Sequence, residues 1–248
     1  MENVEWLDSR EELWQSVRQE DRKMEDSLYQ YFAIIGIIGS IICAVGDYFL
    51  YRCQGTDSVR IGSGKKIESN WDKAKSSDFI ISGALASVSI PMYYLGLVAF
   101  AWQISLQNKA VGIAYFIVLT LGTMGGVGFH LNACFMPLIY KTVIEKGGSI
   151  ELVEGIYSIM RKACGVSAIL TYGILVLVNS VWVWVVILTG IVDVPKILCL
   201  LTPLVFLIIG TTLAKCSKVF HTFPLALTNT LGLGGVAVIT LVSMCNKF

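Results

Sequence analysis

The stretch YFAIIGIIGSIICAVGDYFLY, residues 31–51, holds one charged side chain, Asp47, close to its C-terminal end. A bilayer core about 30 Å thick is crossed by about 20 helical residues, and this run supplies that length. Five further runs of the same character follow at 79–106, 110–140, 164–192, 197–214 and 223–245. The pattern predicts an all-α fold, a polytopic membrane helix bundle with about six transmembrane helices. The run at 110–140 is too long for a straight upright helix, and Gly122, Gly125, Gly126, Gly128 and Pro137 offer places to bend.

Composition points the same way. Hydrophobic residues make up 55% of the 248 and charged residues only 15%, against about 25% charged in a soluble domain. Net charge is +1, and no basic stripe is interleaved with aromatics, which excludes nucleic acid as a partner. The seven cysteines form no C-x-x-C pair and lie mostly in apolar runs, so they read as small reduced hydrophobes. No short apolar core with a small-residue cleavage site stands near the start, so insertion is expected to begin with the first span.

Residues 1–30 form a separate amphipathic N-terminal arm, and 31–248 the transmembrane bundle. Ser9-Arg10-Glu11-Glu12 has capping-box spacing, and Leu7, Trp14, Val17, Met24, Leu28 and Tyr31 recur at helical intervals of three, four or seven. Such a helix lies on the membrane surface or against the protein's own loops, or docks a protein partner. Gly36-x-x-x-Ser40-x-x-x-Ala44 and Gly83-x-x-x-Ser87 are small-residue seams for close helix packing. Leu121-Gly-Thr-Met-Gly-Gly-Val is echoed by Leu231-Gly-Leu-Gly-Gly-Val, as a weak inverted repeat would be.

With six spans, the connections after spans one, three and five carry twelve Lys and Arg, and the other side carries seven. The positive-inside rule then puts the twelve-charge side in the cytoplasm and both termini outside, in a multi-pass protein of the cell membrane.

Ionisable groups inside lipid cost about 2.5–3.5 kcal/mol by insertion scales, so each is a candidate for function. Asp47 lies about 24 Å along the first helix from Tyr31, and His130 about 30 Å along the third from residue 110, at 1.5 Å per residue. Both depths fall towards the basic side, where Asp78 opens the second helix, Asn132 follows His130, and His221 and Asn229 begin the sixth. The six residues Asp47, Asp78, His130, Asn132, His221 and Asn229 are the candidate ligand-binding cluster. Each has a plainer role open to it: Asp78 as a helix cap, Asp47 paired with Arg52, His130 donating to a carbonyl, His221 against headgroups. Ser82, Ser87 and Ser89 lie on the second helix near the same side and are open as nucleophiles.

No metal or cofactor is expected, since His130 and Cys134 at i, i+4 give only two ligands on one face. Gly62-Ser63-Gly64-Lys65-Lys66 glances at a phosphate-binding loop, but Val59 and Lys66 stand where Gly and Ser or Thr are required. G-x-S-x-G and H-E-x-x-H are absent.

Taken together, Gly46-Asp47, Gly83-Ala84-Leu85-Ala86-Ser87, Pro91-Met92-Tyr93-Tyr94-Leu95-Gly96 and Gly128-Phe129-His130 resemble small bacterial multi-pass membrane families known only as domains of unknown function. That resemblance covers nearly the whole chain and implies no activity. A Gly-Asp pair near a helix end is also similar to membrane lysoplasmalogenases, while the three zinc-binding histidines of alkaline-ceramidase-like proteins exceed the two present here.

Three functions remain open. The protein binds or transports a lipid or small amphiphile through the cluster; or it is an intramembrane lipid hydrolase or transferase with Asp47 and His130 as an acid–base pair; or it is a subunit without chemistry of its own that docks a partner through residues 1–30.

Overall fold

The computed structural model describes residues 2–51, 58–61, 65–68, 71, 74–216 and 225–245. Helix α1, Glu2–Tyr51, runs unbroken, so the arm at 1–30 and the first apolar span belong to one rod. A small antiparallel hairpin of β1, Ser58–Ile61, and β2, Lys65–Glu68, follows and is the one departure from helix among the described elements. Then come α2, Ser76–Gln107, and α3, Lys109–Glu145. Next, α4, Ile150–Ile169, passes without a turn through a π-helical segment, Leu170–Val178, into α5, Asn179–Leu188. A 3-10 stretch, Lys196–Leu201, leads to α6, Pro203–Cys216, and α7, Leu225–Cys245, closes the bundle.

Among the described residues four helices are long and apolar enough to cross a membrane: Met24–Leu50, Ser76–Gln107, Lys109–Glu145 and Ile150–Leu188. Their outward faces are apolar, with Ile38, Ile41, Val45, Val88, Ile117, Leu121, Leu177 and Val185 exposed. A soluble bundle would turn polar side chains outward, so this inversion fits lipid contact.

Helix boundaries differ from those read off hydropathy. The fourth span begins at Ile150 rather than at 164, because Ser149 caps the helix by accepting from the Leu152 N–H at 3.3 Å. The connection after α3 is therefore a tight turn at Lys146 and Gly147, with Gly147 at φ +76. The run at 197–214 is broken at Thr202 and Pro203, where proline has no N–H to continue the preceding turn. What remains, α6, has 14 residues and about 21 Å of length, short of a crossing by itself.

Without a hydrophobic drive between helices in lipid, close approach and hydrogen bonds hold the bundle. Gly36 of α1 faces Gly96 of α2 so tightly that a Cβ on Gly36 would lie 2.5 Å from the Gly96 Cα. Gly39 and Gly46 meet α2 at Tyr93 and Ser82, which makes the two helices antiparallel. Ser40 lies against Gly234 of α7, and Gly122 and Gly125 of α3 against Leu175 and Leu170. The two similar glycine stretches thus share one physical job, close backbone packing, since Gly232 and Gly235 receive Pro203 and Leu201. At the other end Phe100 meets Tyr115 edge-on, Trp182 lies tilted against the same ring, and the Tyr115 hydroxyl donates to Asn179 Oδ1 at 2.8 Å.

Candidate functional site

Antiparallel packing brings the C-terminal part of α1 and the middle of α3 against the N-terminal turns of α2 and α7. Asp47 of α1, Ser82 of α2, His130 of α3 and Thr230 of α7 converge there, all buried. The Thr230 hydroxyl donates to Asp47 Oδ2 at 2.6 Å, and Asp47 Oδ1 lies 3.4 Å from His130 Nδ1. On the far side of the imidazole, Nε2 is 3.2 Å from Ser82 Oγ, and the Cys134 thiol donates to that oxygen at 3.6 Å.

One donor pattern satisfies every one of these atoms. In it a neutral His130 carries its proton on Nδ1, aimed at Asp47, while Ser82 donates to Nε2 and accepts from Cys134. The Asp47 carboxyl then receives two donors, one on each oxygen. Adding a proton at Nε2 gives an imidazolium beside a carboxylate, and Ser82 turns to accept. In both proton states each ring nitrogen has a partner, Asp47 at Nδ1 and Ser82 at Nε2, so the imidazole can exchange a proton at Nε2 without losing either contact.

Asp47, His130 and Thr230 border a cavity of about 70 Å³. Its remaining wall includes Tyr93 of α2, Phe129 of α3, and Thr171, Tyr172 and Leu175 of the π-helical segment. A water needs about 10–15 Å³ by this kind of measure, so the space holds several waters or a compact headgroup. Tyr172 is 38% exposed and packs edge-on against Phe129, centroids 5.3 Å apart, so the cavity opens to the outside of the bundle between α3 and the π-helical turn. There the Asn179 N–H reaches back five residues to the Ile174 carbonyl, and the wider turn sets Thr171, Tyr172 and Leu175 along the cavity. A second cleft, between α2 and α3 at Ser87, Pro91 and Leu131, reaches His130 from its other side.

Of the six expected cluster residues, the structure brings Asp47 and His130 together. Asp78 is buried in the first turn of α2, one turn before Ser82, with Lys75 as the cap, and it does not border the cavity. Asn132 stands two residues past His130, about 200° round the helix, and its Oδ1 is buried without a hydrogen-bond partner. His221 lies outside the described residues, as does the side chain of Asn229, whose backbone is in α7. Thr230, Tyr93 and Tyr172 join the site unannounced by the sequence. Among the described residues no group of three His, Cys, Asp or Glu is placed to hold a metal, and the six described cysteines are free. Of the phosphate-loop lookalike, 62–64 fall outside the described residues and Lys65 and Lys66 open β2.

No curated protein and no solved structure matches the chain. The model of one family does match, over residues 24–247, which takes in every membrane-length helix and all four converging side chains, and the chain accordingly belongs to that family of unknown function, DUF6796.

Proposed function

We propose that this protein binds or carries a lipid or small amphiphile in the cell membrane, with Asp47 and His130 as the headgroup site. The carrying observation is the cavity itself: a carboxylate and an imidazole at one wall, apolar and aromatic side chains at the others, and an opening beside Tyr172 on a lipid-facing side. A pocket with few polar groups in an apolar lining suits a molecule with one polar end.

In this account the chain crosses six times. The 3-10 stretch and α6 together reach about 33 Å, making a fifth crossing interrupted at Pro203, and α7 makes the sixth. Breaks within a membrane are tolerated where protein satisfies the freed groups. Ser180 Oγ accepts from the Leu204 N–H at 2.9 Å, and Trp184 Nε1 donates to the Cys199 carbonyl at 2.9 Å.

Photo-crosslinking tests the proposal. An alkyl diazirine amphiphile added to membranes should label Phe129, Tyr172 or Leu175, and Asp47→Asn should reduce that labelling at least fivefold; labelling spread evenly over lipid-facing positions, unchanged in the variant, would sink it.

A second reading, an intramembrane hydrolase or transferase, is favoured by one observation: Ser82, His130 and Asp47 stand in nucleophile–base–carboxylate order. Ser82 is 0% exposed and away from the cavity wall, which ranks this reading second. Covalent capture of Ser82 by an alkyl fluorophosphonate would reverse the ranking.

A further inference from the structure

Resting on the amphiphile-binding proposal, we infer that the headgroup recognised in the cavity is an alkylated ammonium group, a cation. Asp47 is buried on the cavity wall, where the Thr230 hydroxyl and the His130 imidazole lie against its two oxygens. Among the described residues, neither lysine nor arginine borders the cavity. A carboxylate on the wall of a site of low dielectric attracts an arriving cation and disfavours an anionic headgroup.

The rest of the lining narrows the cation further. Tyr93, Phe129 and Tyr172 contribute three aromatic rings to a cavity of about 70 Å³. Aromatic side chains around a carboxylate suit an ammonium whose substituents are methyl or methylene groups, because such a cation spreads its charge over a surface that rings attract and needs no hydrogen-bond acceptors. A primary ammonium would want three acceptors.

An ammonium group reaches such a site as a lipid headgroup or as a free small cation, and the test separates the two. The full chain is placed in nanodiscs of a neutral galactolipid, which carries no ammonium, and titrated calorimetrically. The probes are choline, its neutral isostere 3,3-dimethylbutan-1-ol, dodecyltrimethylammonium and dodecan-1-ol, with empty nanodiscs as the baseline. Choline and dodecyltrimethylammonium should each bind at least tenfold more tightly than their uncharged counterparts. A dodecyl chain that tightens binding at least tenfold over choline assigns the site to a lipid headgroup, and equal binding of the two cations assigns it to a free cation. Asp47→Asn should abolish the preference for charge, and Phe129→Leu, which leaves the buried polar cluster intact, should weaken both cations severalfold with little effect on the alcohols. Equal binding of cations and alcohols would overturn the inference and leave amphiphile binding standing; no binding of any of the four would overturn both.

Discussion

At the scale of single residues, the site depends on which way a few hydroxyls point. Most Ser and Thr side chains in these helices satisfy themselves on their own helix, as Ser87 does on the Gly83 carbonyl, Thr120 on Phe116 and Thr212 on Ile208, each at 2.8 Å. Thr230 and Ser82 instead reach across to Asp47 and His130. Replacing Thr230 by Val should remove one of the two donors that hold the carboxylate while keeping the side chain's shape, and should lower stability by about 1–2 kcal/mol, measured by unfolding in mixed micelles. An unchanged transition would mean the Asp47–Thr230 contact has no energetic weight. The meeting of Asp47 and His130 was legible, because depth along a helix follows from counting residues. Their hydroxyl partners were not, because an apolar run gives no signal of whether a Thr bonds to its own turn or to a neighbouring helix. Asn132 shows the same blindness from the other side: depth put it beside His130, and helix phase turns it away.

Elements meet where glycine removes a side chain. Gly36→Ala sets a Cβ against the backbone of Gly96, which has no side chain to give way, so about 2–3 kcal/mol of bundle stability should be lost. Gly155 and Gly165 of α4 have nothing within 4 Å of an added Cβ, and Ala at either should be neutral or stabilise by up to about 1 kcal/mol. Unfolding measured on the three variants checks the contrast, and equal effects would place the helix seams elsewhere. The π-helical segment makes a separate prediction, since one extra residue per turn there sets Thr171 and Tyr172 at the cavity. Deleting Gly173 should restore α-helical phase and cost ligand binding at least tenfold while helicity by circular dichroism persists. Neither the π-turn nor the interruption at Pro203 stood out in advance: Leu170–Val178 and Lys196–Leu201 are as apolar as the helices around them, and hydropathy measures transfer into lipid without regard to the hydrogen-bond pattern. The proline at 203 was the available sign, and a run of apolar residues on both sides outweighed it.

Over the whole molecule, long apolar helices with apolar outer faces were readable directly from composition, and so was the all-α class. Crossing number was less so, because α6 is short and its continuation is not α-helical. What the assembled bundle adds is a cavity, lined by five elements at once, in which an acidic and a basic group face the same space. Native mass spectrometry of the protein extracted from its membranes, with lipid analysis of what accompanies it, is the most direct test of that site. Wild-type protein should carry a specific amphiphile that is lost from both Asp47→Asn and His130→Ala while both variants keep their helicity; a wild-type protein without any such molecule, or one retained equally in the two variants, would contradict the assignment of Asp47 and His130 as a ligand site.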